Sequence, residues 1–388
     1  MRRGGVAIAL VLASLAGLHG AVRAARWIWD DAGREPGTGG RILAAAEGSV
    51  LELVIQFHRD GADRFLPVYR DIFGALDPAT RVTVVVSDRE DARLFEAERS
   101  RWDHAPGVRY VVVGRPITSW ARDRLAVLDD EGTIVLLAPP RPMRGPGERV
   151  HDWLVPWALR RELGTAAVIR TAPFVFDGGD LIADERFVYV ATPLLARNPG
   201  REPREILEAV GTATGRTPLL IGDEAHPVPD HHIGMFVTPL GSGRVAYADP
   251  DAGLRALGKA ALLEAGSAAD QVTVEVGGEP LQLDLRPERL DLFRNVRDAL
   301  AAAGLETVPI PVVPADGQYV FLGYNNVLLD RRADGLHVLM PAYGVDALDR
   351  AAADAWRAQG AAVHPIDVSG IFRLGGTVRC LTAPLRRL

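Results

Sequence analysis

Five times along this chain a polar turn runs into a short apolar strand, and the spacing of those turns narrows the possible folds more than any other feature. The stretches are "SWARDRLAVLDDEGTIVLL", "FDGGDLIADERFVYVAT", "HHIGMFVTPLGSGRVAYA", "YNNVLLDRRADGLHVLMP" and "LGGTVRCLTAPL". In the first four, a strand leads through a hairpin turn (DDEG, ADER, GSG, RADG) into a second strand. The marker residues Asp123, Asp177, His232, Asn325 and Cys380 lie 54, 55, 93 and 55 positions apart. The long interval holds an extra helix-like and strand-like stretch near residues 252–283, which reads as an insertion.

Between the turns lie helix-like stretches such as "VHDWLVPWALRRELG", "REPREILEAVGTATG", "PERLDLFRNVRDALAAAG" and "VDALDRAAADAWRAQG". Each spaces its apolar residues by three and four and ends on glycine. Alternating strands and helices predict an α/β protein. Units of near-constant length predict radial packing about a common centre, which points the same position of every unit at one site. Asp123, Asp177, His232 and Cys380 would then converge.

The first residues are read apart from the fold. "MRRGGVAIALVLASLAGLHGAVRAA" opens on two arginines, continues through an apolar run too short to span a bilayer and closes on small residues. That is the layout of a signal peptide over 1–24, which predicts export to a periplasmic or extracellular space and a single domain over 25–388 without stable membrane association. Cys380 is the one cysteine of the chain, so no internal disulfide can form. Lys259 is the one lysine among 44 basic residues, the mark of a coding bias. It leaves almost no candidate for Schiff-base chemistry, and a net charge of -6 argues against a nucleic-acid partner.

The converging set has a definite chemistry. A thiol attacks as thiolate, which nearby positive charge promotes. His232 can act as general acid and base, and Asp177 can orient its imidazole. Asp123 remains as a carboxylate that needs a cationic partner if buried, and a planar guanidinium matches it well. Attack of Cys380 on a guanidinium carbon, loss of ammonia or an amine, and hydrolysis of the thiouronium follow.

The same segments resemble the guanidino-group modifying (pentein) superfamily, from about Val82 to Leu388. "SWARD" is similar to its W-x-R-D segment, "FDGGD" to its D/E-G-G-D/N segment and "HHIGMF" to its H-x-x-M-F strand. "GYNNVLL" with "VLMPAYG" resembles its Y-x-N and V-x-P pair, and "GGTVRCLTAPL" its closing cysteine segment. The resemblance implies a five-bladed pseudo-symmetric α/β propeller and a cysteine-dependent amidinohydrolase, with no metal or organic cofactor. It implies Cys380 as nucleophile, His232 as acid/base, Asp177 as its orienter and Asp123 as guanidinium clamp. Trp120, Asp180 and Arg379 join them as candidate substrate contacts. The substrate could be agmatine, arginine, a methylated arginine or peptidyl-arginine. Amidinotransfer, and a propeller that only binds a ligand or partner, are the competing readings.

The pattern also departs from the family. Deiminases commonly place a second aspartate two residues after the histidine, where this chain has Gly234. Losing that carboxylate removes about 1.5–3 kcal/mol of charged hydrogen bonding. Arg124 and Leu125 follow Asp123 in place of x-G-P, and Arg379 precedes Cys380 where agmatine enzymes have histidine. "HPVPDHH", with His226, Asp230, His231 and His232, looks like a metal cluster, but adjacent histidines on a strand face opposite ways. Trp27, Trp29, Trp102, Trp153, Trp157 and Trp356 read as packing anchors, and "PPRPMRGPGER" at 139–149 as a solvated connector or a lid.

Overall fold

The alternation resolves into five mixed sheets and one separate hairpin among the described residues of a computed structural model. These are residues 39–103, 106–140, 149, 151–258, 272–317 and 320–388. The signal-peptide segment, Trp27, Trp29, Lys259, residues 141–148 of the connector and residues 259–271 of the insertion lie outside them. Residues Gly39–Leu388 cluster as one unit. No described helix is long and apolar enough to cross a membrane.

Four units share one plan: an antiparallel hairpin, a helix, and a third strand returning parallel to the second. They pair Ala126–Asp130 with Thr133–Ala138, Ile182–Ala183 with Phe187–Ala191, Val237–Gly241 with Arg244–Asp249, and Leu328–Arg332 with Gly335–Ala342. The crossover helices are Val155–Leu163, Pro203–Thr214, Pro287–Ala302 and Asp346–Arg357. Each returns to a parallel strand: Ala167–Thr171, Thr217–Ile221, Glu306–Pro314 or Ala361–Asp367. The predicted turns are where the hairpins reverse. Glu131 and Gly132, with φ of 51° and 88°, form a two-residue loop between paired Asp130 and Thr133, the positive-φ geometry that matches strand twist.

The fifth sheet is built from both chain ends, which no local pattern announces. Ala383–Arg387 runs antiparallel to Val50–Phe57, with Leu53 opposite Pro384 and Val54 opposite Ala383. Val50–Phe57 then pairs in parallel with Arg81–Val86, and that strand with Val108–Val112. Helices Ala62–Ala75 and Arg89–Arg99 connect them, the second capped by Asp88, which accepts from the N–H groups of Glu90 and Asp91.

Helix packing follows the apolar stripes. Asp346–Arg357 buries Leu348, Ala352, Ala353 and Trp356, and the Trp356 indole donates to the Tyr324 carbonyl at 3.1 Å. Trp102 packs edge-on to Phe73 and Phe95 against the core, as an anchor should, whereas half-buried Trp153 and Trp157 pack edge-on to each other. The insertion contributes helix Pro250–Ala256 and the hairpin Thr273–Val276/Glu279–Gln282.

Candidate active site

Asp123, Asp177, His232 and Asn325 each lie just before the hairpin of their sheet, and Cys380 just before the strand that joins the fifth sheet, so five turns can meet. Asp123 precedes Ala126–Asp130, Asp177 precedes Ile182–Ala183, His232 precedes Val237–Gly241 and Cys380 precedes Ala383–Arg387. Backbone bonds tie the turns together. Gly178 N–H donates to the Asp123 carbonyl at 2.9 Å, and Arg122 N–H to the Cys380 carbonyl at 3.2 Å. The Asp123 turn is anchored from outside by buried Asp152, which accepts from Thr118 N–H at 2.8 Å and from its hydroxyl at 2.6 Å.

The two glycines of "FDGGD" are demanded by these contacts. A Cβ on Gly178 would stand 2.0 Å from the Arg122 carbonyl oxygen and 2.2 Å from that of Leu125. A Cβ on Gly179 would lie 2.3 Å from the His232 ring. Asp180 closes the turn by accepting from Asp177 N–H at 2.7 Å while pairing with Arg197 at 2.8 Å. Those partners make Asp180 a clamp on Asp177 instead of the substrate contact expected from sequence.

Asn326 organises the thiol. Its Oδ1 accepts from the Thr377 hydroxyl at 2.9 Å and from the N–H groups of Arg379 and Cys380 at 3.1 and 3.4 Å, and its Nδ2 donates to the Gly234 carbonyl. Sequence spacing marked its neighbour Asn325, whose side-chain amide is buried without a hydrogen-bond partner. The Y-x-N pattern, counted from Tyr324, does end on Asn326.

Asp123, Asp177, His232 and Cys380 are all buried. The first three bring one polar atom each within 4.8 Å of one another. His232 Nε2 stands 3.6 Å from Asp177 Oδ2, an ion-pair distance. Burial opposes a charged imidazole, but Asp177 outweighs it, with Cys380 and Asp123 adding, and His232 sits well above its ordinary pKa. Burial likewise works against ionised Asp177; His232, Arg124 and Arg149 overcome it and hold the group well below the carboxylate range. Asp123 goes the other way. Burial, reinforced by the Asp177 charge, pushes it up to about 7.

Two arginines that sequence reasoning did not place here complete the site. Fully buried Arg124 donates to Asp177 Oδ2 at 3.1 Å. Arg149 puts one nitrogen, Nη2, 2.6 Å from Asp123 Oδ2 and 3.1 Å from Asp177 Oδ2. A guanidinium thus stands between the two carboxylates, while Oδ1 of each remains buried without a partner. Their spacing would also suit a cation such as a divalent metal, but the donors that meet them are guanidinium nitrogens.

Trp120 lies close to Cys380. A Cβ on Gly376 would meet the Trp120 ring at 2.7 Å and Cys380 Cβ at 3.0 Å, so ring and nucleophile flank one glycine. Arg379 points elsewhere: its stem covers Gly234, where a Cβ would meet it at 2.7 Å, and its head enters a cavity with Arg122. In "HPVPDHH", His226 pairs with Asp223. His231 and His232 are not on a strand; they precede the turn Ile233–Met235, with rings 5.4 Å apart.

Neither a protein-family model nor a curated protein matches this sequence. Solved structures do. C. jejuni agmatine deiminase superposes with a TM-score of 0.65 at 14% identity, covering 90% of this chain and 98% of its own. The agmatine deiminase of Enterococcus faecalis gives 0.62 at 17%, covering 90% and 97%. Both are pentein superfamily members, and their fold is the fold of this chain.

Proposed function

We propose that the chain is a cysteine-dependent amidinohydrolase acting on a guanidinium substrate, its five sheets forming the blades of a pentein propeller around the site. The observation that carries this is the Arg149 guanidinium seated on the buried carboxylates of Asp123 and Asp177, the second of which stands 3.6 Å from His232 Nε2. A guanidinium of this protein on the two carboxylates supports the complementarity proposed for a substrate, and the free Oδ1 atoms offer further acceptors for its remaining N–H groups.

Chemistry can then be assigned group by group. Asp123 and Asp177 bind the guanidinium and fix its plane. Cys380, as thiolate, adds to the central carbon, forming a C–S bond. His232, held protonated by Asp177, delivers its proton to the departing nitrogen, and ammonia or an amine leaves as the C–N bond breaks. The now neutral imidazole takes a proton from water, hydroxide adds to the thiouronium carbon, and collapse expels the thiolate and leaves a ureido product.

Incubation with agmatine, arginine, methylated arginines and an arginine-containing peptide, with ureido product and released ammonia or amine measured, tests the assignment. Turnover of at least one of them is expected. No product from any, with Cys380→Ala indistinguishable from wild type, would remove the enzymatic reading.

A further inference from the structure

Next to the Cys380 turn lies a cavity of about 20 Å³ whose lining includes Arg122, Arg379 and Arg387. None of the three makes an ion pair among the described residues. Arg122 Nε reaches only the Arg379 carbonyl at 3.4 Å, and Arg379 Nη2 only the Leu181 carbonyl at 3.5 Å. Arg387 donates to the carbonyls of Gly48 and Leu329 at 3.1 and 2.8 Å. Arg122 Nη2 and Arg379 Nε are buried with no hydrogen-bond partner at all. Arg379 is only 8% exposed.

We propose that this cavity is a binding site for one monatomic anion of the halide class. Three guanidinium groups, Arg379 buried and Arg122 and Arg387 half-buried, cannot shed their protons at physiological pH, and clustered charge withdrawn from water without a counter-charge is costly. Neighbouring carboxylates are engaged elsewhere: Asp330 with Arg332, Asp123 with Arg149, and exposed Glu47 with Arg216 at 3.9 Å. The Cys380 sulfur can offset at most one of the three charges. Water would satisfy the orphan N–H groups but would leave the charge. The volume admits a single water-sized species and excludes carboxylate-bearing or phosphate-bearing metabolites. Supporting the same picture, burial followed by mutual repulsion lowers Arg122 well below its ordinary pKa, and burial brings Arg379 and Arg387 to about 10.

The test is the thermal midpoint of the full chain at fixed ionic strength as sodium gluconate, whose anion cannot enter, is replaced by sodium chloride or bromide. The site predicts a rise of a few degrees that saturates with halide in wild type and is lost in Arg122→Met and Arg387→Met. A midpoint indifferent to halide, or an equal response in these variants, would overturn it. Should neither variant fold, bromide-soaked wild-type crystals decide: an anomalous peak among the three guanidinium groups supports the site, and its absence there refutes it.

Discussion

Asp123 faces burial and the Asp177 charge at once, and the cost of ionising it has a definite sign. Its folded pKa, about 7, lies above the ordinary 3.8, so the folded state holds the proton more tightly. The stability this contributes is complete below about pH 4 and is lost as pH rises through 7. Asp123→Asn is therefore predicted to melt higher than wild type at pH 8, by on the order of 2 kcal/mol, with the gap closing toward pH 4. Thermal scans across pH check this; a gap independent of pH would count against it. The same variant loses its charged clamp and should drop kcat/KM by about 10-fold to 100-fold. On the proposed function Arg149 occupies the seat of the substrate guanidinium, so Arg149→Ala should lower KM several-fold with kcat little changed in steady-state kinetics. A raised KM would mean that Arg149 helps substrate bind. The proximity of Asp123, Asp177 and His232, and of Trp120 and Cys380, was legible from residue type and spacing. Arg149 was not, because an arginine in a Pro/Gly-rich connector carries no local sign of what it will touch.

Among elements, the turn Gly178–Asp180 concentrates the constraints. Two backbone oxygens crowd Gly178, and neither can move without shifting the Asp123 turn, so Gly178→Ala should cost about 3 kcal/mol or more in denaturant unfolding. Gly179 is crowded by the His232 ring instead. Gly179→Ala should retain more stability than Gly178→Ala while losing most activity, and equal effects on both quantities would contradict this division. The hairpins and crossover helices could be read from sequence because turn glycines and three-to-four spacing are local signals. The role of Asp180 could not, since "GGD" looks the same whether its carboxylate faces a substrate or its own turn. The proximity of His231 and His232 was also hidden, because the strand rule fails where the backbone leaves the strand for a turn.

For the whole molecule, closure is the decisive feature. The sheet carrying Cys380 is completed only when Ala383–Arg387 meets Val50–Phe57, over three hundred residues away in sequence. Such pairing has no local signature: "GGTVRCLTAPL" marked a fifth unit in the sequence, but nothing in it named Val50–Phe57 as the partner strand. It also makes the site a product of complete folding: truncation after Thr382 should abolish cooperative unfolding as followed by circular dichroism, and not merely activity. The measurement that bears most directly on the function proposed here is rapid acid quench during turnover, followed by peptide mass mapping. The mechanism predicts an amidino adduct on the Cys380 peptide that rises and decays with substrate and is absent from Cys380→Ala. Ureido product formed at the wild-type rate by Cys380→Ala, with no adduct on that peptide, would contradict it.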